Sequence, residues 1–280
     1  MRVIRPFDPW KSKLCTCPEK YSFNPYTGCA HDCTYCYATY IPNFRHLREK
    51  KDLFRNLERD LKTLPPDSLI SMSNSSDPYP PVERQREITR KCLSIMREYD
   101  VRLLVVTKSD IVVRDLDILS EMRCAVSITI TGLDFLEPNA PPTEKRIDAL
   151  RKVKDAGLPA ILRFDPVIPE INENRLDIID RSNPDHVVTS TLKLKPDSLA
   201  RVSKILPGLN ERYRERVGRY YYMKREDRYR IMKRIEEFCL DIGISCAFCR
   251  EGFEFRAESC DGSHLVSTAQ NNTLNKLKNF

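Results

Sequence analysis

The chain has 280 residues, 41% of them hydrophobic and 31% charged, and its 47 Lys and Arg against 40 Asp and Glu leave a net charge of +7. That balance excludes a disordered polypeptide and leaves ample chain for a hydrophobic core. No run approaches the roughly 18 apolar residues of a membrane span, and MRVIRPFDPWKSK lacks a signal-peptide core, so a cytoplasmic chain is expected whose 11 cysteines act as metal ligands or core residues.

The predicted elements alternate between strand and helix. A strand near 22–28 and a helix near 46–63 open the series. Residues 68–74 read as a strand, and 84–99 carry the helical stripe Ile88, Cys92, Ile95, Met96 and Tyr99. The apolar run 102–107 is of buried-strand type and precedes a short helix near 114–121. Residues 124–130 alternate as a strand; Thr143 can cap a helix with the face Ile147, Leu150 and Val153, ended by Gly157. Strands at 159–165 and 186–190 precede helices near 174–181 and 196–205.

Six βα units imply an α/β fold with a parallel sheet or β/α barrel, shorter than the usual barrel of about 250 residues. The domain reading is an N-terminal segment with C-x-C (1–20), a partial barrel (21–208), and a C-terminal helical and cysteine-rich extension (209–280).

Cys29, Cys33 and Cys36 form C-x3-C-x2-C within NPYTGCAHDCTYCYA. Zinc motifs normally come as C-x2-C pairs, and a 4Fe–4S cluster normally takes four ligands. Three close thiols therefore imply a distant fourth ligand or an iron left open to a substrate or cofactor.

This spacing, with Tyr35 before the third cysteine, resembles the radical SAM superfamily. Segments 24–38, 76–93, 106–119, 127–150 and 163–172 resemble, in the expected order, its spore-photoproduct-lyase-like branch. SCDGSHL (259–265) is similar to the tail of archaeal members. The resemblance implies a partial (β/α)6 TIM-like barrel, open on one side. It implies a 4Fe–4S cluster on Cys29, Cys33 and Cys36 and an S-adenosylmethionine (SAM) cofactor. An electron donor such as ferredoxin or flavodoxin would drive cleavage of SAM to a 5′-deoxyadenosyl radical.

The strand reading puts polar groups at strand ends, where β/α barrels keep their active sites. Period-two alternation places Lys108 on the face of Leu104 and Val106, Ser127 with Thr129, and Arg163 with Asp165. The resemblance assigns finer roles: residues 73–77, with Ser75, Ser76 and Asp77, would meet the SAM amino group. Lys108 and Ser127 would hold its carboxylate, and Tyr35 would lie near the adenine. Thr129, Arg163 and Asp165 complete the expected cofactor contacts, and no catalytic residue is assigned.

Two departures argue against thymine-dimer repair. The cysteine that quenches the product radical in spore photoproduct lyase has no counterpart at 73–76, and that enzyme's N-terminal extension is missing.

Cys92, Cys124 and Cys239 read as core residues. Cys15 and Cys17, with Cys246, Cys249, Cys260 and His264, are candidates for a second metal site. The spacing C-x2-C-x10-C-x3-H suits zinc, and Cys15 or Cys17 could instead complete a second iron–sulfur cluster with the tail. Residues 212–234 interleave arginine and tyrosine. An amphipathic surface helix pair explains them better than base stacking, though a nucleic acid, a peptide side chain or a small metabolite each fits as substrate. The rival readings are a non-catalytic, metal-bearing nucleic-acid-binding protein and a DNA photoproduct lyase.

Overall fold

The structure is a computed structural model that describes residues 2–7 and 12–266. Its centre is one eight-stranded sheet. The strands in chain order are β1 (Ile4–Pro6), β2 (Tyr21–Phe23), β3 (Ser68–Met72), β4 (Val101–Thr107), β5 (Arg123–Thr129), β6 (Ala160–Val167), β7 (His186–Thr191) and β8 (Ser245–Phe248), and they lie in that order across the sheet. β1 pairs antiparallel with β2, and every later neighbour is parallel. This open, mostly parallel sheet is the α/β arrangement the strand pattern implies and fits the partial β/α barrel that the resemblance implies.

The helices α1 (Leu53–Leu61), α2 (Ile88–Met96), α3 (Thr143–Asp155), α4 (Asp177–Ser182), α5 (Pro196–Ile205) and α6 (Arg225–Asp241) occupy the crossovers. Burial on both faces explains the apolar run 103–106 of β4. Outward-facing side chains such as Leu103, Val105, Val126 and Leu162 join the helices in the main core. The inner face has a smaller core with one residue from each of five consecutive strands: Leu69, Leu104, Ala125, Ile161 and Val188.

Val266, from the C-terminal tail, completes that inner core. The tail therefore enters the barrel rather than lying outside it. Gly262 makes this close approach feasible: its φ is +79°, and a Cβ there would stand 2.5 Å from Ile161 Cδ1 and 3.1 Å from His186 Cδ2. The adjacent Asp261 forms a buried ion pair with Lys20. The segment before β2 and the segment after β8 thus meet at the barrel.

Several boundaries differ from the sequence reading. Asp52 takes a left-handed φ of 52°, so α1 starts only at Leu53. Thr143 opens α3 as its first residue, donating its N–H and hydroxyl to Asp134.

Residues 209–242 are not helical throughout. After a turn of helix at Leu209–Arg212, Glu215–Val217 and Tyr220–Tyr222 form an antiparallel hairpin. Tyr220 and Tyr222 are buried on either side of half-buried Tyr221, a period of two that a helical reading overlooks. Of the arginines of this stretch, Arg212 pairs with Glu170, Arg230 with Asp227 and buried Arg228 with Glu251. Cys92, Cys124 and Cys239 are buried in the core, as expected. Among the described residues, no helix is long and apolar enough to cross a membrane.

Candidate active site

A cavity of about 260 Å³ opens where β3 to β8 end. Cys29, Cys33 and Cys36 line it from the loop after β2. That loop is tied from several sides. Cys29 N–H donates to Phe44 O at 2.9 Å, and Thr34 N–H to Leu136 O at 2.8 Å. Arg201 of α5 donates to the carbonyls of Thr34 and Cys36. At Gly28, with φ +82°, a Cβ would meet His46 O at 2.5 Å, so the turn into the triplet needs glycine.

Burial pushes the Cys29 thiol up to about 12 and raises Cys33 and Cys36 as well. Thiolates at these positions need a compensating cation. Among the described residues, no three His, Cys, Asp or Glu side chains stand close enough to share a single metal ion. The triplet rims a cavity instead, an arrangement suited to a cluster that spreads its thiolates over several irons.

Asp77 lies in the cavity wall. Oδ1 accepts from Tyr79 N–H at 2.9 Å and Thr107 Oγ1 at 2.7 Å. Oδ2 accepts from Lys108 N–H at 2.7 Å and stands 3.3 Å from His31 Nε2. The His31 contact is an ion pair and not a hydrogen bond, so one lone pair of Oδ2 stays open to a ligand donor. Burial works against the charge on His31, but the Asp77 carboxylate outweighs it and raises the imidazole pKa.

Lys108 reaches Glu137 at 3.3 Å, and Arg146 reaches the same carboxylate at 2.5 Å. Glu137 also accepts from the hydroxyls of Tyr35 and Thr131. Burial opposes its charge, yet Lys108 and Arg146 push it down to about 2. This buried group fixes Tyr35 and Lys108 together, with Lys108 Nζ 5.5 Å from the Tyr35 ring centre.

Ser75, Ser76, Thr129, Arg163 and Asp165 also line the cavity. Asn24 cradles the 73–76 turn, its Oδ1 accepting from Ser73 Oγ at 2.9 Å and Asn74 N–H at 3.2 Å. Arg163 pairs with Asp165 at 2.9 Å, and Asp165 accepts from Ser190 at 2.6 Å. Ser127 is the exception. It lies on the inner barrel face but is fully buried and does not line the cavity, and its hydroxyl has no partner among the described residues.

The remaining cysteines separate. Cys17 and Cys260 stand 3.2 Å apart through sulfur, and Cys15 hydrogen-bonds Cys17. Cys249 is within electrostatic reach of both Cys15 and Cys260 and hydrogen-bonds Arg163. Cys246 instead hydrogen-bonds Cys239 of α6 in the core. The reason is strand geometry: Cys246 lies in β8, and residues three apart along an extended chain face opposite sides. His264 stacks edge-on against His186 and bonds Ser259.

Sequence reasoning missed Asn24, His31, Glu137, Arg146, Lys193, Arg250 and Glu251. Only tertiary contact marks them, since Glu137 meets Tyr35 across 102 residues.

A family model described as the radical SAM superfamily matches residues 23–181, more than half of the chain. The chain belongs to the radical SAM superfamily and is a radical SAM enzyme.

Among curated proteins it is 33% identical over 182 residues to the uncharacterized protein MJ0683 of Methanocaldococcus jannaschii, covering 61% of this chain and 68% of that one. It is 30% identical to the uncharacterized protein ORF301 of Acidianus two-tailed virus, covering 57% of this chain and 60% of that one. Among solved structures, a spore photoproduct lyase variant with bound AdoMet and dinucleoside spore photoproduct superposes with a TM-score of 0.66 at 18% identity, over 89% of this chain and 80% of that one. The anSMEcpe protein with bound AdoMet superposes with a TM-score of 0.55 at 15% identity, over 80% of this chain and 60% of that one.

Proposed function

We propose that Cys29, Cys33 and Cys36 hold a 4Fe–4S cluster and that SAM binds beside it in the cavity at the strand ends. The observation that carries this reading is the loop itself, which presents all three thiols to one cavity walled by Lys108, Thr129, Arg163 and Asp165. When bound, the pair supplies one-electron cleavage of SAM to a 5′-deoxyadenosyl radical for hydrogen abstraction from a substrate.

The chain's own residues place the cofactor and keep water out. Lys108, held by Glu137, and the Thr129 hydroxyl face the SAM carboxylate, with the unpartnered Ser127 hydroxyl behind them. Ser75, Ser76 and the carbonyls of the 73–76 turn accept from the SAM ammonium. Asp77 braces that turn against β4 and offers its remaining Oδ2 lone pair to the same ammonium. Tyr35, fixed through its hydroxyl, offers its ring to the adenine. Arg163 and Asp165 serve the polar groups of the nucleoside. A low-potential donor such as ferredoxin or flavodoxin supplies the electron.

In the same reading, Cys15, Cys17, Cys249 and Cys260 hold a second iron–sulfur cluster, since no three of them stand close enough to share a single zinc ion. The approach of Cys17 to Cys260 across 243 residues supports that choice of ligands. Metal and sulfide analysis of anaerobically reconstituted protein tests both sites. Wild type is expected to hold about four more irons than the Cys29/Cys33/Cys36→Ala variant. Equal iron in the two proteins would refute the triplet assignment, and a triplet variant devoid of iron would refute the second site.

A further inference from the structure

The charged side chains lining the cavity form close ion pairs with one exception. Lys20 pairs with Asp261, His31 with Asp77, Lys108 with Glu137, Arg163 with Asp165, and Lys193 with Glu251. Arg250 lines the same cavity without a carboxylate partner among the described residues, and its buried NH1 has no hydrogen-bond acceptor. A buried guanidinium nitrogen without an acceptor is costly, so its placement calls for a reason.

The surrounding chain holds Arg250 in place. On one side, Cys249 N–H donates to Thr189 O at 2.9 Å. On the other, the fully buried Glu251 accepts from Thr191 N–H and Oγ1, Lys193 and Arg228. Between these anchors, Arg250 takes a left-handed φ of 54°, a conformation disfavoured for a non-glycine residue. Its guanidinium lies 5.6 Å from the ring centre of Tyr37, the residue after Cys36, and 5.2 Å from that of Tyr220. It projects from the end of β8, four strands along the sheet from the Lys108 end of β4.

We infer that Arg250 is the anchor for an anionic group, a carboxylate or a phosphate, on the substrate of this enzyme. The planar guanidinium fork matches either group bidentately, and the fixed loop has already met the ordering cost. The inference rests on the reading that SAM occupies the cavity beside the triplet. SAM's own carboxylate is met on the β4 side, which leaves the β8 side for the substrate.

The test uses reconstituted, SAM-loaded protein titrated with inorganic phosphate and, separately, with acetate. Wild type is expected to bind at least one of them saturably. Arg250→Ala should weaken that binding at least tenfold, and Arg250→Lys, which keeps the charge but loses the fork, should fall between. SAM affinity and iron content, measured on the same samples, should change less than twofold. Three results would overturn the inference: no anion binding by wild type, equal anion binding by wild type and Arg250→Ala, or a loss of SAM affinity or iron in Arg250→Ala as large as the loss of anion binding. Wild type that holds iron but fails to bind SAM would sink the underlying reading, and the inference with it.

Discussion

Replacing Gly262 by alanine tests whether the C-terminal tail is part of the barrel interior. The added Cβ would stand 2.5 Å from Ile161 Cδ1 and 2.9 Å from Ile161 Cγ1, both in the inner core, and the φ of +79° disfavours any L side chain. The backbone effect amounts to about 1 kcal/mol. Overpacking a filled interior adds about 1–3 kcal/mol. The total of about 2–4 kcal/mol should lower the thermal midpoint by roughly 5–10 °C in a chain of this size.

Gly243 is the matched control. Its φ is +73°, and a Cβ there meets nothing within 4 Å. Gly243→Ala should therefore show the backbone effect alone, about 1 kcal/mol. Differential scanning calorimetry of the two variants separates the terms. Equal midpoints would refute the claim that the tail packs against Ile161.

Other perturbations follow from the same contacts. Glu137 has a folded pKa depressed to about 2 by Lys108 and Arg146, against burial, so its contribution is present above the ordinary carboxylate range and is lost as pH falls through about 2. Urea unfolding should show wild type more stable than Glu137→Gln by about 3 kcal/mol at pH 7, with the gap closing below pH 4; a gap independent of pH would contradict this. Glu251→Ala strands the buried Lys193 and Arg228 cations and should cost about 3–5 kcal/mol in the same assay, whereas a loss under 1 kcal/mol would show that the loop before it is not held there. In the Cys29/Cys33/Cys36→Ala background, Cys249→Ala should lose the remaining metal and Cys246→Ala should keep it, as measured by elemental analysis; the reverse pattern would restore the C-x2-C reading of the tail.

The parallel strands were legible because double burial writes them as apolar runs. The expected strands at 102–107, 124–130, 159–165 and 186–190 lie within a residue or two of β4, β5, β6 and β7. β8 was not legible. Its SCAF carries the first cysteine of C-x2-C, and a chelate pattern masked a strand of only four residues. The hairpin at 215–222 was hidden by its arginines, which suit a surface helix as well as a strand.

In the site, polar residues at strand ends were visible from alternation, and all the expected cofactor contacts except Ser127 line the cavity. What each one touches was not visible. The resemblance makes Asp77 a ligand acceptor, and only the structure shows that it also ties the end of β4 through Thr107 and Lys108. Glu137 and Glu251 are single carboxylates in loops, and their partners come from distant strands and helices.

The central claim is that the Cys29–Cys36 loop carries the cluster that cleaves SAM. Formation of 5′-deoxyadenosine by reconstituted protein under a strong reductant, with Cys33→Ala as the comparison, tests it most directly. The account predicts product from the wild type and none above background from Cys33→Ala. Equal product from both proteins would contradict it.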